Sequence, residues 1–165
     1  MTDYDSIAPT AGDIANSYEV ILDINTGTSE APTWLNIPDI TAFNPTSNPK
    51  TADVATYAHK GGDALQKVGE TFSATFNLLK IRDDEGEFQA EWIALKEAAD
   101  ADGEDNLIEF RYYDALGASE AYQGKAAVQR ARANTGNADP GFDTFTLTGN
   151  GRAKPITNPV LGSVE

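Results

Sequence analysis

The sequence predicts a mainly β, α+β domain: an antiparallel β-sandwich or barrel flanked by one α-helix, with extended terminal arms. Three observations lead there. Apolar residues alternate with polar ones along several short runs, which is the period of a half-buried strand. A single stretch instead carries an apolar stripe at helical spacing. Clusters of Gly, Pro, Asn and Asp punctuate the runs at the short intervals of an antiparallel meander.

Residues 1–16 hold Pro9, Gly12 and few large apolar groups, so they cannot build a core. They read as an arm, either frayed or ordered on a partner. Ser17 to Asn25 is the first strand, with Tyr18, Val20, Leu22 and Ile24 on one face and Glu19, Ile21, Asp23 and Asn25 on the other. Thr26-Gly27-Thr28 turns the chain. Trp34 to Ile37 and Ile40 to Phe43 read as a second strand interrupted near Pro38, because proline lacks a ladder donor. Asn44 to Asp53, with Pro45 and Pro49, reads as a loop. Val54 to Lys60 reads as a short strand closed by Gly61-Gly62. Glu70 to Lys80 is the strongest strand, with Phe72, Ala74, Phe76 and Leu78 opposite Thr71, Ser73, Thr75 and Asn77.

The helix is expected over about residues 85–102. Asp84 and Glu87 suit a capping box, Phe88, Trp92, Leu95 and Ala99 form the stripe, and Gly103 suits the stop. Strands follow at Leu107 to Tyr113, Ala121 to Ala133 and Asp143 to Thr148. The turn-rich segment Asn134 to Gly141 separates the last two. Gly149-Asn150-Gly151 makes a hairpin turn and Arg152 to Ile156 leaves it. The domain thus spans 17–156, and 157–165 reads as a second arm.

Composition narrows the function. The 165 residues carry 12 Lys plus Arg against 26 Asp plus Glu, a formal charge of −14. That balance argues against gripping nucleic acid through its phosphates or docking on an anionic membrane. With no cysteine there is no disulfide, thiolate metal site or Cys nucleophile. The acidic, polar start does not resemble a signal peptide, so an ordinary export route is not expected. No catalytic residue, cofactor or metal ligand is expected. His59 is the only histidine, and neither Ser47 nor Ser73 has an elbow pattern around it. Asp100 to Asp105 lacks the spacing of a calcium loop and reads as a solvated helix end. Two rival classes stay open: a carbohydrate-binding or adhesin-type module with Trp34 and Tyr57 as its platform, and a hydrolase using His59.

Read in order, the motifs carry a resemblance. TWLNIPDITAFNP, then Asp53 with Thr56-Tyr57 and Gly61-Gly62, then ETFSATFNLL, an amphipathic helix and a final DTFTLTGNGRAKP are similar to the major tail tube proteins of long, non-contractile-tailed bacteriophages over about residues 17–160. Thr56 stands three residues after Asp53 where that family has two. The resemblance implies a virion structural protein, not an enzyme. Six copies would form a ring, rings would stack head to tail, and double-stranded DNA would pass through without specific binding. It implies self-association, contact with tape measure, tail tip and terminator proteins, assembly in the host cytoplasm and no membrane partner. Ring-to-ring contacts would fall to the 44–53 loop through Asn44, Pro45, Pro49 and Lys50. The arms would add Tyr4, Ile7, Ile156, Val160 and Leu161. Because an acidic wall repels DNA, Asp53, Glu70 and Glu109 are candidates for lining the lumen, with solvated exterior charges as the plain alternative.

Overall fold

The computed structural model describes residues 7–163. Eight strands and one helix follow in the order β1 (Val20–Asn25), β2 (Trp34–Asn36), β3 (Ile40–Asp53), β4 (Leu65–Leu79), α1 (Ala90–Asp100), β5 (Leu107–Asp114), β6 (Ala121–Arg132), β7 (Phe142–Gly149) and β8 (Lys154–Pro155). All pairings are antiparallel. The sheet runs β2-β1-β5-β6-β7-β4-β3, with β8 added beside β6.

This one sheet folds over on itself. β6 pairs with β5 through Ala121 to Ala127 and with β7 through Ala126 to Arg132, so its two ends belong to different halves. Between the halves lies the core. Phe72 of β4 stacks on Phe110 of β5 at 5.0 Å between ring centroids, and Phe43 of β3 meets Tyr112 of β5 edge-on at 5.3 Å. Leu22, Ile24, Phe76, Leu78, Phe145 and Leu147 complete it, all nearly without solvent contact. These are the inward sets that the period of two picked out. Gly149 is required where β7 approaches β4: a Cβ there would lie 2.9 Å from the Cβ of Phe72.

α1 closes the end of the core with Trp92 and Leu95. It starts later than the capping pattern implies. Asp83 Oδ1 accepts hydrogen bonds from the backbone N–H groups of Glu85 (3.0 Å) and Glu87 (2.8 Å), so the acidic run forms a tight turn instead. Arg82 and Phe88 bridge across that turn. Gln89 precedes the helix, and its side chain accepts from Ile81 N–H and donates to the Leu79 carbonyl. At the other end Ala101 takes the C-cap position, and Gly103 (φ 64°) opens a following 3-10 turn over Gly103–Asn106.

Pro38 does more than interrupt a strand. β2 and β3 lie at opposite ends of the sheet order, so the Pro38 corner carries the chain from one end to the other. The larger correction concerns Asn44 to Asp53. These residues continue β3, paired with β4 down to Asp53 opposite Leu65. β3 is the terminal strand, and a proline fits a strand whose nitrogen side has no partner, so Pro45 and Pro49 are compatible with it. Val54 to Lys60 is not a strand: Tyr57–His59 forms a 3-10 turn at the hairpin end. Past Ile156 the chain stays on the domain. Asn158 is buried, and its amide donates to the carbonyls of Asp114 (2.9 Å) and Ala118 (2.7 Å).

Candidate assembly surfaces

The β3–β4 hairpin is the most prominent feature outside the core. β4 pairs with β7 only from Ser73 onward, so Leu65 to Phe72 are held by β3 alone. Phe72 is still packed on Phe110, so at about 3.3 Å per residue the part beyond it, Leu65 to Thr71, projects roughly 23 Å. Its end is apolar and exposed: Val54, Tyr57, Leu65 and Val68 all face solvent, Tyr57 completely. Such residues side by side on a projection are the feature expected of a contact surface. The sequence contained this group, but reading 44–53 as a loop hid that a paired ladder carries it.

Asn44, Pro49 and Lys50 are exposed along β3 and Pro45 is half-buried. Ile7 and Leu161 are exposed, whereas Ile156 and Val160 are partly covered. Tyr4 lies outside the described residues. Leu161 sits beside the 114–120 turn, where its Cδ2 would lie 3.3 Å from a Cβ on Gly117, and Leu116 next to it is exposed.

The three acidic candidates do not share one surface. Asp53 Oδ1 accepts from the backbone N–H groups of Ala55 (2.9 Å) and Ala64 (3.2 Å), closing the hairpin end. Glu70 pairs with Lys67, and this hydrogen bond holds its carboxyl below the usual range. Glu109 accepts from Ser29 Oγ and from Asn25 Nδ2 (2.9 Å), and these bonds lower its pKa. By alternation Glu70 falls on the side of Phe72, whereas Glu109 falls on the face opposite Phe110.

A different face is set apart by its chemistry. On the outer side of β3-β4-β7-β6 the register aligns three rows across four strands. One row is Asn44, Thr75, Thr146 and Gln129; the next is Thr46, Ser73, Thr148 and Ala127; the third is Thr41, Asn77, Thr144 and Ala131. None is charged, and Thr144 Oγ1 donates to Asn77 Oδ1 at 2.7 Å within the third row. The outer face of β1 and β5 is unlike it. There Asp23 accepts from Arg111 Nε (2.9 Å), Tyr113 Oη (3.0 Å) and Asn36 Nδ2 (3.2 Å).

The residues proposed for other chemistries stay apart. His59 Nδ1 accepts from the Thr56 N–H (3.0 Å) at the hairpin end, and Ser73 lies eight residues up β4 from Leu65, about 26 Å at strand rise. Trp34 carries the Arg111 guanidinium over its ring at 4.4 Å, on the opposite half of the sheet from Tyr57. Among the described residues no group of three or more metal-capable side chains converges, and no helix is long and apolar enough to cross a membrane.

No protein-family model matches the chain, and no curated protein matches it by sequence. Solved structures do match in shape. The tail of an empty GTA particle, solved with C6 symmetry, superposes at TM-score 0.64 with 13% identity, over 87% of this chain and 99% of that one. The SPP1 tail tube superposes at TM-score 0.65 with 14% identity, over 90% of this chain and 83% of that one. At such identities the likeness speaks for the backbone arrangement, and it extends over most of the chain. This chain has the mainly β fold of tail tube proteins, the fold its ordered motifs resemble.

Proposed function

We propose that the chain is a structural subunit of a bacteriophage-type tail tube, in which copies close into rings and the rings stack head to tail. The observation that carries this is the projecting β3–β4 hairpin with its exposed apolar end, on a fold shared with two tail tubes. A contact that joins a projection on one copy to a different surface on the next is heterologous, and such contacts propagate into filaments. Six copies to a ring follow the C6 symmetry under which the GTA tail was solved. In this reading the protein works in the virion tail after assembly in the host cytoplasm. Tape measure, tail tip and terminator proteins bound its polymer, and double-stranded DNA passes through it unbound. It performs no catalysis. The hairpin carries the ring-to-ring contact, with Asn44, Pro45, Pro49 and Lys50 along its edge. Tyr4, Ile7, Ile156, Val160 and Leu161 supplement it from the terminal segments.

The experiment is to shorten the hairpin without disturbing the core. Replacing residues 50–69 by Asn-Gly joins the Pro49–Glu70 pair through a two-residue turn. The shortened chain is expected to unfold cooperatively like the parent yet to form no tubes by negative-stain electron microscopy. Tubes that still form would refute the hairpin assignment.

A further inference from the structure

The three uncharged rows on β3-β4-β7-β6 stand out against the rest of the chain. About a quarter of this chain is charged, 38 residues by the counts of acids and bases, yet the twelve same-face positions of three adjacent rows across four strands carry no charge. Hydroxyls, amides and methyls make up the whole face. Acids are instead gathered elsewhere, above all in the 83–105 segment around α1, which holds ten Asp and Glu against Lys96 alone. On the same outward face the nearest cation is Lys125 of β6, two residues before Ala127 and opposite Glu109, while Lys50 and Lys67 lie further out on the hairpin.

We infer that this uncharged face, centred on Ser73, Thr75 and Thr146, is the wall of the lumen, and that the polyanion it passes meets hydroxyls and amides rather than carboxylates. The inference rests on the tube reading above and deepens it by naming the surface that faces DNA. Each cation brought against a duplex displaces condensed counterions and adds to affinity, so a wall free of Lys and Arg gives DNA nothing to hold. Neutral hydroxyls stay hydrated and accept a sliding phosphate without a lasting ion pair. Asp53, Glu70 and Glu109 lie outside these rows, at the hairpin end, on the inward side of β4 and on β5.

Continuity around a ring supports the same face. Its four strands are bounded on one side by β3, which has only β4 for a neighbour, and on the other by β6 beyond Ala127, which has only β7. Both edges border the rows themselves, and each offers part of a ladder: Pro45 and Pro49 lack donors on β3, and the Val128 carbonyl of β6 already accepts from Asn106 Nδ2. Copies set side by side therefore extend the rows sideways, whereas the charged face of β1 and β5 points away from them.

The absence of cysteine makes a clean test. Single variants Ser73→Cys and Thr146→Cys place a thiol on the face, and Glu97→Cys on α1 serves as an exterior reference. Each is assembled into tubes, checked by electron microscopy, and treated with a small maleimide or with one carrying a polyethylene glycol chain too large for the channel. For Ser73→Cys and Thr146→Cys, assembly is expected to abolish labelling by the large reagent and to preserve labelling by the small one. Glu97→Cys should keep both. If the large reagent reaches Ser73→Cys or Thr146→Cys in intact tubes, the face lies outside and the inference falls. Loss of both reagents there would mark a buried joint between copies and overturn it equally. A parent chain that makes no hollow tubes refutes the tube reading itself, a result distinct from either.

Discussion

Asp143 has no solvent contact, yet it is surrounded by donors. Its Oδ2 accepts from Trp92 Nε1 at 2.8 Å and Arg130 Nη1 at 3.2 Å, and its Oδ1 lies 3.6 Å from Lys80 Nζ. A buried carboxylate is tolerable only with such partners, and here they come from α1, β6 and the end of β4, so one residue ties the helix to the sheet. Alternation with Phe145 and Leu147 placed Asp143 inward, but nothing in the sequence names its partners, which lie 13 to 63 positions away. Glu109 offers a testable case. Its hydrogen bonds depress its pKa below 4.5, so its contribution to stability is complete above that value and fades as pH falls through the lowered pKa. Removing the largest cause with Ser29→Ala is expected to move the Glu109 pKa back toward 4.5, as read by carboxyl carbon NMR. An unchanged value would mean that Asn25 and the Lys125 charge set it without Ser29.

At the scale of elements, alternation located β1, β4, β5, β6 and β7, because their inner positions are apolar and their outer ones are not. It failed where tertiary pairing overrides local preference. β3 beyond Phe43 has no apolar alternation and two prolines, and only the ladder with β4 makes it a strand. The start of α1 was misplaced because Asp83, not Asp84, receives the backbone donors, and they belong to a turn. The bulge in β3 has a price in strain. Ala42, at φ 54°, occupies the left-handed region between Thr41 and Asn44, which lets Phe43 turn inward. Ala42→Gly is expected to stabilise the protein by about 0.5–1 kcal/mol, as relief of the left-handed penalty outweighs the entropy gained by the unfolded chain. Urea denaturation measures it, and a loss of stability would show that the Ala42 methyl contributes packing.

For the whole molecule, composition gave the charge but not its layout. The register assembles a broad uncharged face on β3-β4-β7-β6, and ten of the 26 acids gather in the 83–105 segment around the helix. The surfaces that meet other copies belong to register and projection, which no single position encodes. A formal charge of −14 on every copy opposes association at long range, and salt screens it over about 10 Å at 0.1 M. Assembly is therefore expected to speed up as salt is raised from low to moderate levels, followed by light scattering. A slowing would indicate that attractive ion pairs dominate the contact.

β6 serves both halves of the sheet, first as the neighbour of β5 and then of β7, with Ala126 and Ala127 paired to both. No cut through the ladder frees one half without exposing the other. Partial melting is thereby denied a foothold, and a tug on either half is shared along the full length of this common strand, which loads its bonds together in shear instead of peeling them one at a time.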